Sequence, residues 1–142
     1  MALVNANVES LKRAYARWSE TRGRSVDDWL AIASPKFRMR SVADLHVEGK
    51  FSSGPSGPEG LRFYLVELVD HWIMERHDVE RLIADGDQVA AHIRAIWRNR
   101  ETNKRVACDV VDLWTFEDGL ATSMLELFDT AAMVAAATAD AA

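Results

Sequence analysis

Two carboxylates in this 142-residue chain stand where a carboxylate costs most. Asp112 lies in the apolar run from Val106 to Phe116, and strand alternation puts it on one face with Val106, Cys108, Val110, Trp114 and Phe116. Such a setting raises a carboxyl pKa. Glu126 lies in the last apolar run, where Met124 and Phe128 share its face. Two carboxyls in one pocket separate in pKa, so that one serves as acid and the other as base. The structural alternative for Asp112 is a salt bridge to Arg40 or Arg94. For Glu126 it is a bulge after Gly119 that turns the side chain to solvent.

Other chemistries find less support. Cys108 is the only cysteine, so neither an internal disulfide nor a thiolate metal cage can form, and it reads as a small buried apolar residue. His71 and His77 lack the i, i+4 spacing with a glutamate that zinc would need, and no metal is expected. The segment Gly54 to Gly60 has no Lys-Ser/Thr pair and no preceding strand, so it is a turn into a helix rather than a phosphate loop. With 17 Lys plus Arg against 22 Asp plus Glu, the net charge of −5 argues against nucleic acid or an anionic membrane as the main partner. No signal-like leader and no long uncharged apolar run are present, and a cytoplasmic location is expected. Five Trp and five Phe against two Tyr suit the lining of a cavity for a small hydrophobic molecule.

The elements that must position these groups follow from periodicity. Val8, Leu11, Tyr15 and Trp18 form one helical stripe, with Asn7 to cap it. Ser25 with Asp27 and Asp28 starts a short second helix that runs toward Pro35. Phe37 to Val42 alternates as a half-buried strand, Ala43 to Gly60 is a long loop, and Pro58-Glu59 opens a third helix carrying Leu61, Leu65, Leu68 and Trp72. Four strands follow, Met74 to Ala84, Val89 to Trp97, Val106 to Phe116 and Leu120 to Phe128, as a meander. On the second of these, Val89, Ala91, Ile93, Ala95 and Trp97 face inward, which leaves His92 and Arg94 outside. The chain reads as one domain over residues 1–130 with an Ala-rich tail at 131–142, and Asp129 caps or anchors that tail.

The sequence resembles the nuclear transport factor 2-like superfamily, in its ketosteroid-isomerase and SnoaL-like polyketide-cyclase branch. The residues that carry the likeness are Ala14-Tyr15, Gly57 to Leu61, Ala84 to Val89, Asp112 to Phe116 with Asp118-Gly119, and Ser123 to Asp129. The resemblance implies an α+β fold in which a cone-shaped, curved, mostly antiparallel sheet wraps around three N-terminal helices. It also implies a homodimer through the outer sheet face, where Ala107, Val111 and Leu113 are apolar. It places Tyr15 and Asp112 at the positions of the isomerases' oxyanion-binding pair, and Arg40, with Ser41 beside it, at the position of their general base. A guanidinium cannot abstract a proton at neutral pH, so the base must come from Glu126 or from Asp44 or His46 in the loop. An epoxide-hydrolase Arg-x-Asp pair is missing, because Val110 and Ala107 stand two residues before Asp112 and Asp109.

Two functions follow as expectations. The first is a cofactor-independent isomerase, cyclase or dehydratase of a hydrophobic carbonyl compound. Its catalytic candidates are Tyr15, Asp112, Glu126, Asp44 and His46. Its pocket would be walled by Trp18, Trp29, Met39, Arg40 and Trp72 from the first half of the chain, and by Val110, Trp114, Met124 and Phe128 from the second. The second is a non-catalytic ligand-binding or interaction module. The presence of a base within reach of the oxyanion donors separates them.

Overall fold

A computed structural model describes residues 5–45 and 56–141. Helix α1 (Ala6–Glu20) is capped by Asn5, whose side chain accepts from the backbone N–H of Asn7 and Val8; the cap lies two residues before the expected Asn7. Its buried stripe is Leu11, Ala14, Tyr15 and Trp18. Helix α2 (Val26–Leu30) starts after Ser25, whose side chain makes no capping bond. Strand β1 (Ala33–Ser41) begins earlier than expected and runs through Pro35. That is allowed because β1 is an edge strand and its register with its neighbour is irregular between Ala33 and Arg38.

A 3-10 turn (Val42–Leu45) follows β1, and helix α3 (Pro58–His71) begins after Gly57. Gly57 has φ +84°, donates to the Phe37 carbonyl at 2.8 Å, and leaves no room for a side chain, since a Cβ would stand 2.8 Å from the Pro35 carbonyl oxygen. The start of α3 is thereby pinned to β1. Strands β2 (Trp72–Asp85), β3 (Gln88–Asn99), β4 (Arg105–Glu117) and β5 (Leu120–Leu127) form the expected antiparallel meander. The sheet order is β1-β5-β4-β3-β2, with β1 parallel to β5. This mixed α+β arrangement, an open curved sheet with helices, is the expected fold class. The tail contains helix α4 (Thr130–Ala137), with Asp129 accepting from the Ala132 N–H as its cap. Thr102 and Lys104 in the β3–β4 connection bond the carbonyls of Ala136 and Thr138.

The pairing sets which residues meet. One inward row crosses four strands as Ser41, Glu126, Asp112 and Ala91; the next row is Met39, Met124, Trp114 and Val89. The outward row between them is Arg40, Leu125, Leu113, Ala90 and Ile83. Side chains of α1, α2 and α3 cover the inner face, joining Leu11, Trp29 and Leu61 to Phe37, Ile93 and Phe116 in one core.

Candidate functional site

The inner face and the helices leave a cavity of about 120 Å³. Trp18, Trp29, Trp72, Val110, Trp114, Met124 and Phe128 stand in its wall, as do Tyr15, Asp112 and Glu126. Helix α1 aims Tyr15 at the sheet, and its hydroxyl donates to Asp112 Oδ2 while accepting from Trp114 Nε1–H at 2.9 Å. Register brings Glu126 directly opposite Asp112. From α3, the Tyr64 hydroxyl donates to Glu126 Oε1. A continuous polar chain results: Trp114, Tyr15, Asp112, Glu126, Tyr64. Neither salt bridge considered for Asp112 is present, since Arg40 is exposed and Arg94 lies 3.6 Å from Asp109 instead.

Burial raises the Asp112 pKa well above the ordinary carboxyl range. The negative charge of Glu126 and hydrogen bonding with it push the same way, against a smaller opposing effect of the Tyr15 hydroxyl. Asp112 Oδ1 is buried and receives no hydrogen bond from a described donor, so nothing there stabilises a negative charge. Tyr15 is likewise raised, by burial first and then by Asp112, and keeps its proton. The arrangement is that of a neutral carboxylic acid beside a carboxylate, in walls that are mostly aromatic and apolar. Hydrogen bonds and charges act strongly in such a place.

Several expected positions fall elsewhere. Arg40 does not line the cavity: β1 buries Phe37, Met39 and Ser41 in alternation, so the guanidinium faces out beside Leu125 and Ser41 takes the cavity position. Met39 is buried in the core one row away and does not line the cavity either. Asp44 lies in the 3-10 turn and its side chain is outside the description, as is all of His46. Cys108 is half-buried in the cavity wall rather than in the core, and burial pushes its thiol pKa up.

Tyr64 and His77 are site residues that sequence reasoning missed. Strand alternation from Met74 turns His77 outward, but an irregularity between Met74 and Arg76 resets the phase and brings it in. Its ring lies parallel to Tyr15 (centroids 6.0 Å, 20°) and edge-on to Trp97 (6.3 Å, 83°). Burial lowers its pKa from 6.5 to about 4. A histidine whose folded pKa is depressed leaves the folded state short of a proton relative to the unfolded chain between these values, so stability falls as pH drops from 6.5 toward 4. The loss is on the order of 3 kcal/mol for the full interval. His77→Phe, which keeps the stack on Tyr15, should flatten the acid limb of a stability-against-pH curve measured by urea unfolding. An unchanged slope would show that His77 is not the group responsible.

Among the described residues no cluster of His, Cys, Asp and Glu is placed to hold a metal, and no helix is long and apolar enough to cross a membrane. A protein-family model described as "SnoaL-like domain" matches residues 11–124. No curated protein matches the sequence. Among solved structures, an NTF2-like protein of unknown function from Burkholderia pseudomallei is 20% identical with a TM-score of 0.81, over 96% of this chain and all of that one. A proposed SnoaL-like polyketide cyclase from Jannaschia is 21% identical with a TM-score of 0.74, over 96% and 94%. A proposed isomerase from Rhodopseudomonas palustris is 17% identical with a TM-score of 0.71, over 95% and 98%. At these identities the likeness to the three structures establishes the fold, and activity must be argued from the site.

Proposed function

The chain belongs to the SnoaL-like domain family, and from that premise we propose that it is a cofactor-independent isomerase, cyclase or dehydratase of a small hydrophobic carbonyl compound. The observation that carries this reading is the pairing of Asp112 with Glu126 across β4 and β5 in one aromatic cavity. The carbonyl oxygen of the substrate accepts a hydrogen bond from the Asp112 acid. Glu126 takes the proton from the adjacent carbon. The enolate oxygen that develops is stabilised by the neutral Asp112 donor, and the proton returned by Glu126 to another carbon completes an isomerisation. Attack of the enolate carbon on a second carbonyl of the same substrate, whose oxygen takes the proton held by Glu126, gives cyclisation; loss of a β-hydroxyl as water with that same proton gives dehydration. Tyr15 and Trp114 orient Asp112, and Tyr64 orients Glu126; these are positioning roles.

The other reading, a binding module without catalysis, is favoured by one feature: β1 presents Ser41, and no carboxylate, to the cavity. Glu126 answers it by supplying a base from β5. A homodimer through the outer sheet face belongs to this proposal, as does a cytoplasmic location; the exposed Leu113 and Ile83 in the outward row of the sheet support the dimer. The catalytic proposal is tested without knowing the substrate, by following exchange of α-protons of small neutral ketones (cyclohexanone, cyclohex-2-enone, acetophenone) in D2O by proton NMR. Exchange faster than in buffer for at least one of them is expected. No acceleration for any would leave the binding-module reading.

A further inference from the structure

We propose that the compound taken into this cavity is a cation, carrying a protonated amine or quaternary ammonium group that packs against the tryptophan faces within reach of Glu126. This deepens the reading above and rests on it for the cavity being the ligand site. All five tryptophans of the chain, Trp18, Trp29, Trp72, Trp97 and Trp114, stand in one wall. Tyr15, Tyr64 and Phe128 add further rings. An aromatic face carries partial negative charge, and a cation within roughly 6 Å of it is attracted most strongly where water is excluded.

Apart from two histidines, the ionisable side chains of the wall that carry charge are acidic. Glu67 and Glu126 line it beside the neutral Asp112, while no Lys or Arg does so among the described residues. Glu67 at the rim has a partner in His71 at 3.2 Å. The hydrogen-bond partners of Glu126 are neutral, the Tyr64 hydroxyl and the Asp112 acid, and none of the described Lys or Arg residues forms an ion pair with it. His77 is held uncharged by its burial. A partly buried carboxylate among aromatic walls is stabilised by a counter-charge, and none of the described residues supplies one beside Glu126.

A second observation points to a ligand independently. Trp29 Nε1, on a side chain 4% exposed, has no hydrogen-bond partner. It is a donor and suits an oxygen on the ligand. An uncharged aromatic ligand would satisfy the ring walls and leave Glu126 without a counter-charge from the described residues; a cation satisfies both. The free volume of about 120 Å³ compares with roughly 150 Å³ for a cavity that takes up benzene, so a trimethylammonium head fits it.

The test compares choline with its neutral isostere 3,3-dimethylbutan-1-ol, titrated into the full chain with tryptophan fluorescence and calorimetry as readouts. Choline is expected to bind roughly tenfold or more tightly than the alcohol. Glu126→Gln should bring that ratio toward one. Should Glu126→Gln fail to fold by circular dichroism, Trp97→Leu serves instead, lowering choline affinity more than alcohol affinity. Equal affinities, tighter binding of the alcohol, or no binding of either by the wild-type protein overturns the proposal. Because the exchange assay uses neutral ketones, ketone exchange without choline selectivity removes the charge assignment alone. Choline selectivity without exchange removes the catalytic reading alone.

Discussion

Glu126→Gln should keep the fold and lose α-proton exchange by a factor of about 10²–10⁴, the range that a positioned general base contributes. The amide is nearly isosteric with the acid and its oxygen can still accept from the Tyr64 hydroxyl, so the contact from α3 survives. What disappears is a lone pair basic enough to hold a proton. Tyr64→Phe provides the graded comparison. It leaves the base in place and removes the bond that orients it, so its loss should be smaller, about tenfold. Retention of full exchange in Glu126→Gln would show that another group moves the proton.

Asp112→Asn should stabilise the protein, and by more as the pH rises. The sign follows from linkage. A carboxyl whose folded pKa lies above its ordinary value of 3.8 binds a proton in the folded state that the unfolded chain has released, so the wild type loses stability as pH climbs through that interval. The cost is about 1.4 kcal/mol for each pH unit within it. Asparagine never charges, its oxygen can accept from Tyr15, and its shape is almost unchanged. The gain appears as a higher melting temperature, about 4 °C for each kcal/mol in a chain of this size, and it grows as the pH rises above 4. Parallel curves for variant and wild type between pH 4 and pH 8 would mean that Asp112 is ionised in the fold. The same variant should slow exchange, because an amide N–H is a poorer donor to a developing enolate than a carboxylic acid. A gain in stability paired with a loss of activity marks a group kept for chemistry.

The part of this site that was legible in the sequence is the part governed by uninterrupted period. Alternation along β4 and β5 gives the inward direction of Asp112, Trp114, Met124 and Glu126, and the helical stripe gives Tyr15 and Trp18. Where the period breaks, reading failed for physical reasons. The irregularity between Met74 and Arg76 inverts the phase of β2, so His77 enters the cavity although simple alternation sends it out. Tyr64 sits on a helix that is apolar on several faces, and periodicity alone does not say which face meets Glu126. The parallel pairing of β1 with β5 joins segments about eighty residues apart and has no local signature, yet it decides that Ser41 rather than Arg40 shares the row of the two carboxyls. The family likeness pointed to Arg40 on β1 for the position of the base, whereas β1 turns Ser41 to the cavity and the proposed base, Glu126, comes from β5. The aromatic excess was visible in the composition; that every tryptophan reaches the same wall depends on α1, α2, β2, β3 and β4 converging, which only the tertiary structure supplies.

The central claim is that one cavity holds a neutral acid, Asp112, beside the carboxylate of Glu126. It is tested most directly by carbon-13 NMR titration of protein labelled at the Asp side-chain carboxyls, with Asp112→Asn used to assign the resonance. The expected Asp112 signal keeps the chemical shift of a protonated acid well above the pH at which exposed aspartates lose their proton. A signal that titrates near 3.8, as exposed aspartates do, would contradict it.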